Sequence, residues 1–236
     1  MDAAKHQLRI GKDPSDLNHR SLDALQKSAK LMTNAYLPSA LGSVYMGMAE
    51  YEMQKGKDPT ALLEQSRASY QKSIEIDPTY YEPFGFLGRA ETLAARWAMK
   101  SNQSPVQHFQ EARKALQKAS ELNKEEGALY QMMSEMYRWQ SEWLLQQKRP
   151  AGETIADGLR MVDKALSFDS ESADAYAVQG ALLLIKASED KNRQEQLNAA
   201  RRAQASLQRA LKINRWLDRE YGPLLKKANE TVALSQ

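Results

Sequence analysis

The chain is 236 residues long and has no cysteine, which excludes disulfides, thiolate catalysis and cysteine-based metal sites. Its 8 Pro and 11 Gly are few, while Ala, Leu, Gln, Glu, Lys and Arg dominate, a composition that favours helix and gives strands little to build on. The net charge of +3 is unevenly spread: Lys191 to Glu230 holds ten Lys and Arg against four acids, a local +6 that leaves −3 for the rest.

Residues 1–10 read as the tail of a helix whose earlier turns precede this sequence, so the chain is expected to be the C-terminal part of a longer protein. They hold no apolar signal core. Ala175–Ile185, the longest uncharged apolar stretch, has 11 residues where a membrane helix needs about 20. The expected compartment is the cytoplasm, or outside it if a membrane helix stands upstream.

Two phrases then divide the rest of the chain. LQKSAKLM from Leu25 returns as YQKSIEID from Tyr70, LQKASELN from Leu116, VDKALSFD from Val162 and LQRALKIN from Leu207, in steps of 45, 46, 46 and 45. Pro14, Pro59, Pro105 and Pro150 keep a similar beat of 45, 46 and 45, and GKDP recurs verbatim at Gly11–Pro14 and Gly56–Pro59. Each Pro suits the first turn of a helix, with Asp13, Asp58 and Ser104 before it as N-caps. From Pro105 one apolar stripe runs through Val106, Phe109, Ala112, Leu116, Ala119 and Leu122. The other helix of each period is expected to begin near Leu37, Tyr80, Glu126 and Ser172 and to run for about 18 residues, or roughly 27 Å. Such a pair cannot hide its apolar face alone, and stacked neighbours can.

Small residues recur in register. The first helices carry Gly42, Gly88, Ser134 and Gly180 at one position. The second helices carry Ser21, Ser66, Ala112, Gly158 and Ala203 at one position, and Ser28, Ser73, Ala119, Ala165 and Ala210 at another. Phe84, Tyr130 and Tyr176 stand four residues before the small residue of the first helix, where a ring is expected to plug the next groove. From Ser15 to about Asn214 this arrangement resembles the tetratricopeptide repeat, in long units similar to the repeat regions that follow the catalytic domain of some bacterial serine/threonine protein kinases.

The resemblance implies an all-α, right-handed solenoid of antiparallel helix pairs with about five units. These span about 1–33, 34–78, 79–124, 125–170 and 171–215, with a C-terminal capping helix over 216–232, in a single domain over 1–236. The family's period is about 34, so the extra residues are taken as added turns on both helices; a HEAT-like solenoid, with a period of about 40–47, is the rival fold.

No catalytic set emerges, and neither a cofactor nor a small-molecule substrate is expected. His6, His19 and His108 make no metal-ligand spacing and read as surface residues. Glu125–Glu126 and Asp169–Glu171 fall at helix starts, where the dipole explains them. Tyr51, Trp97 and Trp143 repeat with the period and read as packing; Trp139 either packs or stands as an exposed anchor.

In the tetratricopeptide family the ligand lies on the face of the first helices, here lined by Ser39, Ser43, Met46, Arg89, Thr92, Arg96, Gln131, Glu135, Arg138, Asp174 and Ala181. The implied function is a non-catalytic scaffold that binds a partner protein or peptide through Arg89, Arg96, Gln131, Glu135, Arg138 and Trp139. The arginines either converge on a carboxylate or phosphate of the partner or are solvated helix charges beside Glu91 and Glu135. Ser39 and Ser43 stand where the family's chaperone-tail clamp has Lys and Asn, so that ligand is not expected. The alternative is nucleic-acid binding by Arg193, Arg201, Arg202, Arg209, Lys212, Arg215 and Arg219, among which no exposed aromatics for base stacking are expected.

Overall fold

Alternating apolar stripes and helix stops at a 45–46-residue beat resolve, in the computed structural model, into ten α-helices and no strand among the described residues. The structure describes residues 4, 7, 8, 10–29 and 34–233; His6 and the end of the first phrase lie outside them. The helices are α1 (Ser15–Ala29), α2 (Tyr36–Gln54), α3 (Thr60–Ile76), α4 (Tyr81–Lys100), α5 (Val106–Leu122), α6 (Gly127–Gln146), α7 (Gly152–Phe168), α8 (Ala173–Glu189), α9 (Arg193–Ile213) and α10 (Asp218–Ala233). A 3-10 turn, Arg215–Leu217, joins the last two. The added residues of the long period are extra helical turns, since α4 and α6 each reach 20 residues.

The chain forms two compact units, Met1–Lys124 and Glu125–Gln236, the first holding α1–α5 and the second α6–α10. In the first, α2 pairs with α3 and α4 with α5, and the first helices α2 and α4 also touch. In the second, α6 pairs with α7 and α8 with α9, α6 packs on α8, and α10 packs on α9 and α8. Each unit is therefore a stack of helix pairs.

The small-residue register works by backbone approach. A Cβ added at Gly88 would lie 2.5 Å from Leu116 Cγ and 3.0 Å from the Ala112 carbonyl, and one at Gly180 would lie 2.5 Å from Leu207 Cγ and 3.1 Å from the Ala203 carbonyl. At Gly42 the ring of fully buried Tyr70 fills the space, 2.7 Å from such an atom. The second-helix column is sealed at Ser66, Ala112 and Ala203, each 0% exposed, and the Ser66 hydroxyl donates to the Gly42 carbonyl at 2.8 Å. Ser21, in the same column, is exposed.

One local signal acts differently from its sequence reading. Pro14, Pro59 and Pro105 are buried at helix entries, and Asp58 Oδ1 accepts the Thr60 N–H at 2.9 Å. Pro150 is exposed instead, and Ala151 takes the equivalent place: the Ile155 N–H bonds the Ala151 carbonyl as Leu63 bonds Pro59 and Phe109 bonds Pro105. The buried beat is thus 14, 59, 105 and 151.

A second periodic marker was hidden by changing residue type. Gly11, Gly56, Asn102 and Lys148 all adopt positive φ, at 75°, 75°, 56° and 55°. Around each, two N–H groups turn back onto the preceding helix, as Gly56 does to Met53 and Lys57 to Glu52. This left-handed cap satisfies carbonyls left open at a helix end.

The Tyr130 ring stacks on Phe168 of its own helix pair, with centroids 5.8 Å apart and planes 4° from parallel.

Candidate functional site

On the first-helix face of the first unit, the side chains expected to line a groove divide into two classes. Ser39, Met46 and Thr92 are buried at 3–4% exposure, because α2 and α4 pack against one another as well as against their partners. Ser43, Arg89 and Arg96 remain half-buried. Arg89 of α4 donates to Glu50 Oε1 of α2 at 2.6 Å, an ion pair between consecutive repeats whose side chains keep 29% and 18% exposure. Arg96 stands two turns further along α4. Ser43 lies 3.1 Å from the Tyr70 hydroxyl, and burial pushes that phenol up to about 12.

Glu91 is not the partner of Arg89. It is 5% exposed and holds His108 Nδ1 at 2.7 Å and Arg67 Nη1 at 3.3 Å, tying α3, α4 and α5 together. His108 is therefore a half-buried structural contact rather than a surface residue. His19 is exposed.

The three recurrent aromatics sit at the ends of the first helices, half-buried and each covered by a cation: Lys55 over Tyr51 at 4.1 Å, Lys100 over Trp97 at 5.4 Å and Arg149 over Trp143 at 5.7 Å. Tyr51 also acts on the Asp13 carboxyl and Trp97 on that of Asp58, both lowering it, so the ring at the end of one helix lies near the entry of another. Hydrogen bonds from Ser15 and Tyr51 bring the Asp13 carboxyl down to about 2.

In the second unit Glu135, Arg138 and Trp139 are brought together. Arg138 is only 5% exposed and its guanidinium lies 3.8 Å from the Trp139 ring centroid and 5.5 Å from that of Tyr221 on α10. Glu135, Glu142 and Glu220 stand 3.6, 3.8 and 3.4 Å from it. The Trp139 indole N–H donates to Glu135 at 2.7 Å. Burial, reinforced by Glu135 and Glu220, pushes the Tyr221 phenol well above its ordinary value. Charge neutralisation explains the site: an Arg stripped of water needs counter-ions and ring faces, and α10 supplies one of each. Arg138 is thus enclosed rather than presented, whereas Gln131, Glu135, Trp139 and Asp174 stay half-buried; Ala181 is buried at 3%.

The seven basic residues named for the alternative nucleic-acid patch, Arg193 to Arg219, are all exposed. Arg209 is neutralised by Glu171 and lies 5.6 Å over the Tyr176 ring, and Arg193 donates to Gln196 at 2.9 Å. Arg201, Arg202 and Lys212 have no side-chain partner among the described residues. The expectation of no exposed aromatic among them is corrected by Trp216, which is 43% exposed in the 3-10 turn with Arg215 4.6 Å over its ring.

No group of three or more His, Asp or Glu among the described residues is placed to hold a metal ion, and no helix among them is long and apolar enough to cross a membrane. Of the acids near helix starts, Glu126 caps α6 by accepting the Ala128 N–H at 3.2 Å, whereas Asp169 ends α7 and accepts the Glu171 N–H at 3.0 Å in the turn, and Ser172 caps α8.

A scan against models of protein families finds no match, and a search of curated proteins finds none. Among solved structures, the chain is similar to that of the human IFIT1 dimer with m7Gppp-AAAA, with a TM-score of 0.41 and 13% identity over 97% of this chain and 56% of that one. The chain therefore spans little more than half the length of that protein.

Proposed function

We propose that the protein is a non-catalytic scaffold that binds a partner protein or peptide on the face of its first helices. The observation that carries this reading is the Arg89–Glu50 pair, which places an exchangeable guanidinium between two repeats while leaving both side chains partly in water. A partner carboxylate can take the place of Glu50, and the helices beneath hold Arg89 in position at no further ordering cost. Arg96 extends the same row. In the second unit Gln131, Glu135 and Trp139 supply polar and aromatic contacts, and Arg138 positions Trp139 from below. The resemblance to kinase-associated repeat regions gives such a scaffold a setting, beside a catalytic domain on the same polypeptide.

The test is capture from source-cell lysate by the wild-type chain and by an Arg89→Gln, Arg96→Gln variant with an unchanged unfolding midpoint. Proteins held by the wild type and lost by the variant support the reading. Equal retention by both removes the site from α4, and turnover of a substrate by the isolated chain overturns the scaffold assignment.

A further inference from the structure

We infer that the exposed face of α9, continued by the turn at Trp216, is a second binding surface whose ligand is single-stranded nucleic acid. The surface is separate from the first-helix face. Along α9 the solvent side carries Gln194, Asn198, Arg201, Arg202, Gln208, Arg209 and Lys212, and the opposite side buries Leu197, Ala200, Ala203, Leu207 and Ala210 in the core. Helix geometry places Arg202 and Lys212 about 15 Å apart along the axis, a span of several phosphates. Glu171 neutralises Arg209, Glu195 lies in the first turn of α9 about two turns before Arg202, and Asp218 and Glu220 open α10 just beyond Trp216. Those three cations are thus left without counter-ions inside the protein.

Charge alone would serve any polyanion, and the aromatic side chain selects among them. Trp216 is 43% exposed although most of the large rings are at least half-buried. Arg215 covers it from 4.6 Å, forming a flat cation and ring platform at the end of the basic row. A base of an unpaired strand can stack there while its phosphates follow α9; a duplex keeps its bases stacked inside, and a lipid headgroup or acidic peptide has no flat ring to offer.

The experiment uses the full chain with a fluorescein-labelled oligouridylate, the duplex of an equivalent length, and anionic phosphatidylserine vesicles. Single-strand affinity should fall with salt, and Arg201→Gln, Arg202→Gln, Lys212→Gln together should flatten the slope of log affinity against log salt by about two. Trp216→Ala should weaken binding by about tenfold, with Trp216→Tyr retaining most of it. The glutamine variant changes only exposed side chains and decides the matter even if the alanine variant unfolds. Three results overturn the proposal: no single-strand binding, an unchanged salt slope in the glutamine variant, or equal or tighter binding of duplex or vesicles.

Discussion

Arg138 and Glu220 lie 82 residues apart in the chain, yet their side chains meet at 3.4 Å. The contact fastens α10 to α6 and completes the carboxylate and aromatic shell around a guanidinium that is nearly dry. Removing the cation leaves the carboxylates of Glu135, Glu142 and Glu220 without their shared counter-charge, so Arg138→Ala should lower stability by about 3 kcal/mol. Glu220 keeps 46% exposure, and Glu220→Gln should cost less than about 1 kcal/mol. Urea unfolding of the two variants checks the order; equal losses would show that the pair, and not the enclosed Arg138, carries the effect.

The left-handed caps give a second expectation. Asn102 and Lys148 hold a backbone conformation that costs a residue with a Cβ about 1 kcal/mol relative to Gly. Asn102→Gly and Lys148→Gly should each stabilise by up to about 1 kcal/mol, and Gly56→Ala should destabilise by a similar amount. A fall in melting temperature for Lys148→Gly would contradict the cap assignment.

Glycines in the helices should separate sharply by neighbour. Gly88→Ala and Gly180→Ala push a methyl to 2.5 Å from a packed leucine and close to a backbone carbonyl, and each should cost about 1–3 kcal/mol or more. Gly47 has only Asn18 Oδ1, at 3.9 Å, so Gly47→Ala should be neutral or stabilising by up to about 1 kcal/mol through helix propensity. Thermal unfolding of the three variants distinguishes close packing from mere sequence register.

Much of this was legible from the chain alone. The phrase beginning at Tyr70, Leu116, Val162 and Leu207 announces the second helices because the same small and apolar types must fill the same space in every pair. The left-handed caps were not, because backbone geometry repeats while Gly, Asn and Lys alternate in type. Pro150 misled for a related reason: Ala151 occupies the buried place one residue on. Glu135, Glu142 and Trp139 lie within one turn of Arg138 in sequence, but its enclosure has no local marker, since Glu220 and Tyr221, which complete the shell, stand more than 80 residues on. The exposure of Trp216 has no marker in the sequence, because the residue sits in a 3-10 turn outside the helical periodicity.

The Asp13 carboxyl supplies a pH test. Its value is lowered from 3.8 to about 2 in the folded chain, so the unfolded chain binds more protons in that window and stability rises with pH across it. The contribution is present above pH 3.8 and is lost as the pH falls toward 2. The gap in melting temperature between wild type and Asp13→Ala should therefore be constant near neutrality and narrow below about pH 4. A gap that widens on acidification would reverse the sign and remove Tyr51 and Ser15 as its cause.

The scaffold reading rests on Arg89 being shared between Glu50 and a partner, and the affinity of a captured partner for Glu50→Gln and Arg89→Gln tests that sharing directly. Competition requires opposite effects: releasing Arg89 from Glu50 should strengthen binding by about fivefold, and removing the guanidinium should weaken it by about tenfold or more. Equal affinity in both variants, or weakening by both, would contradict the account.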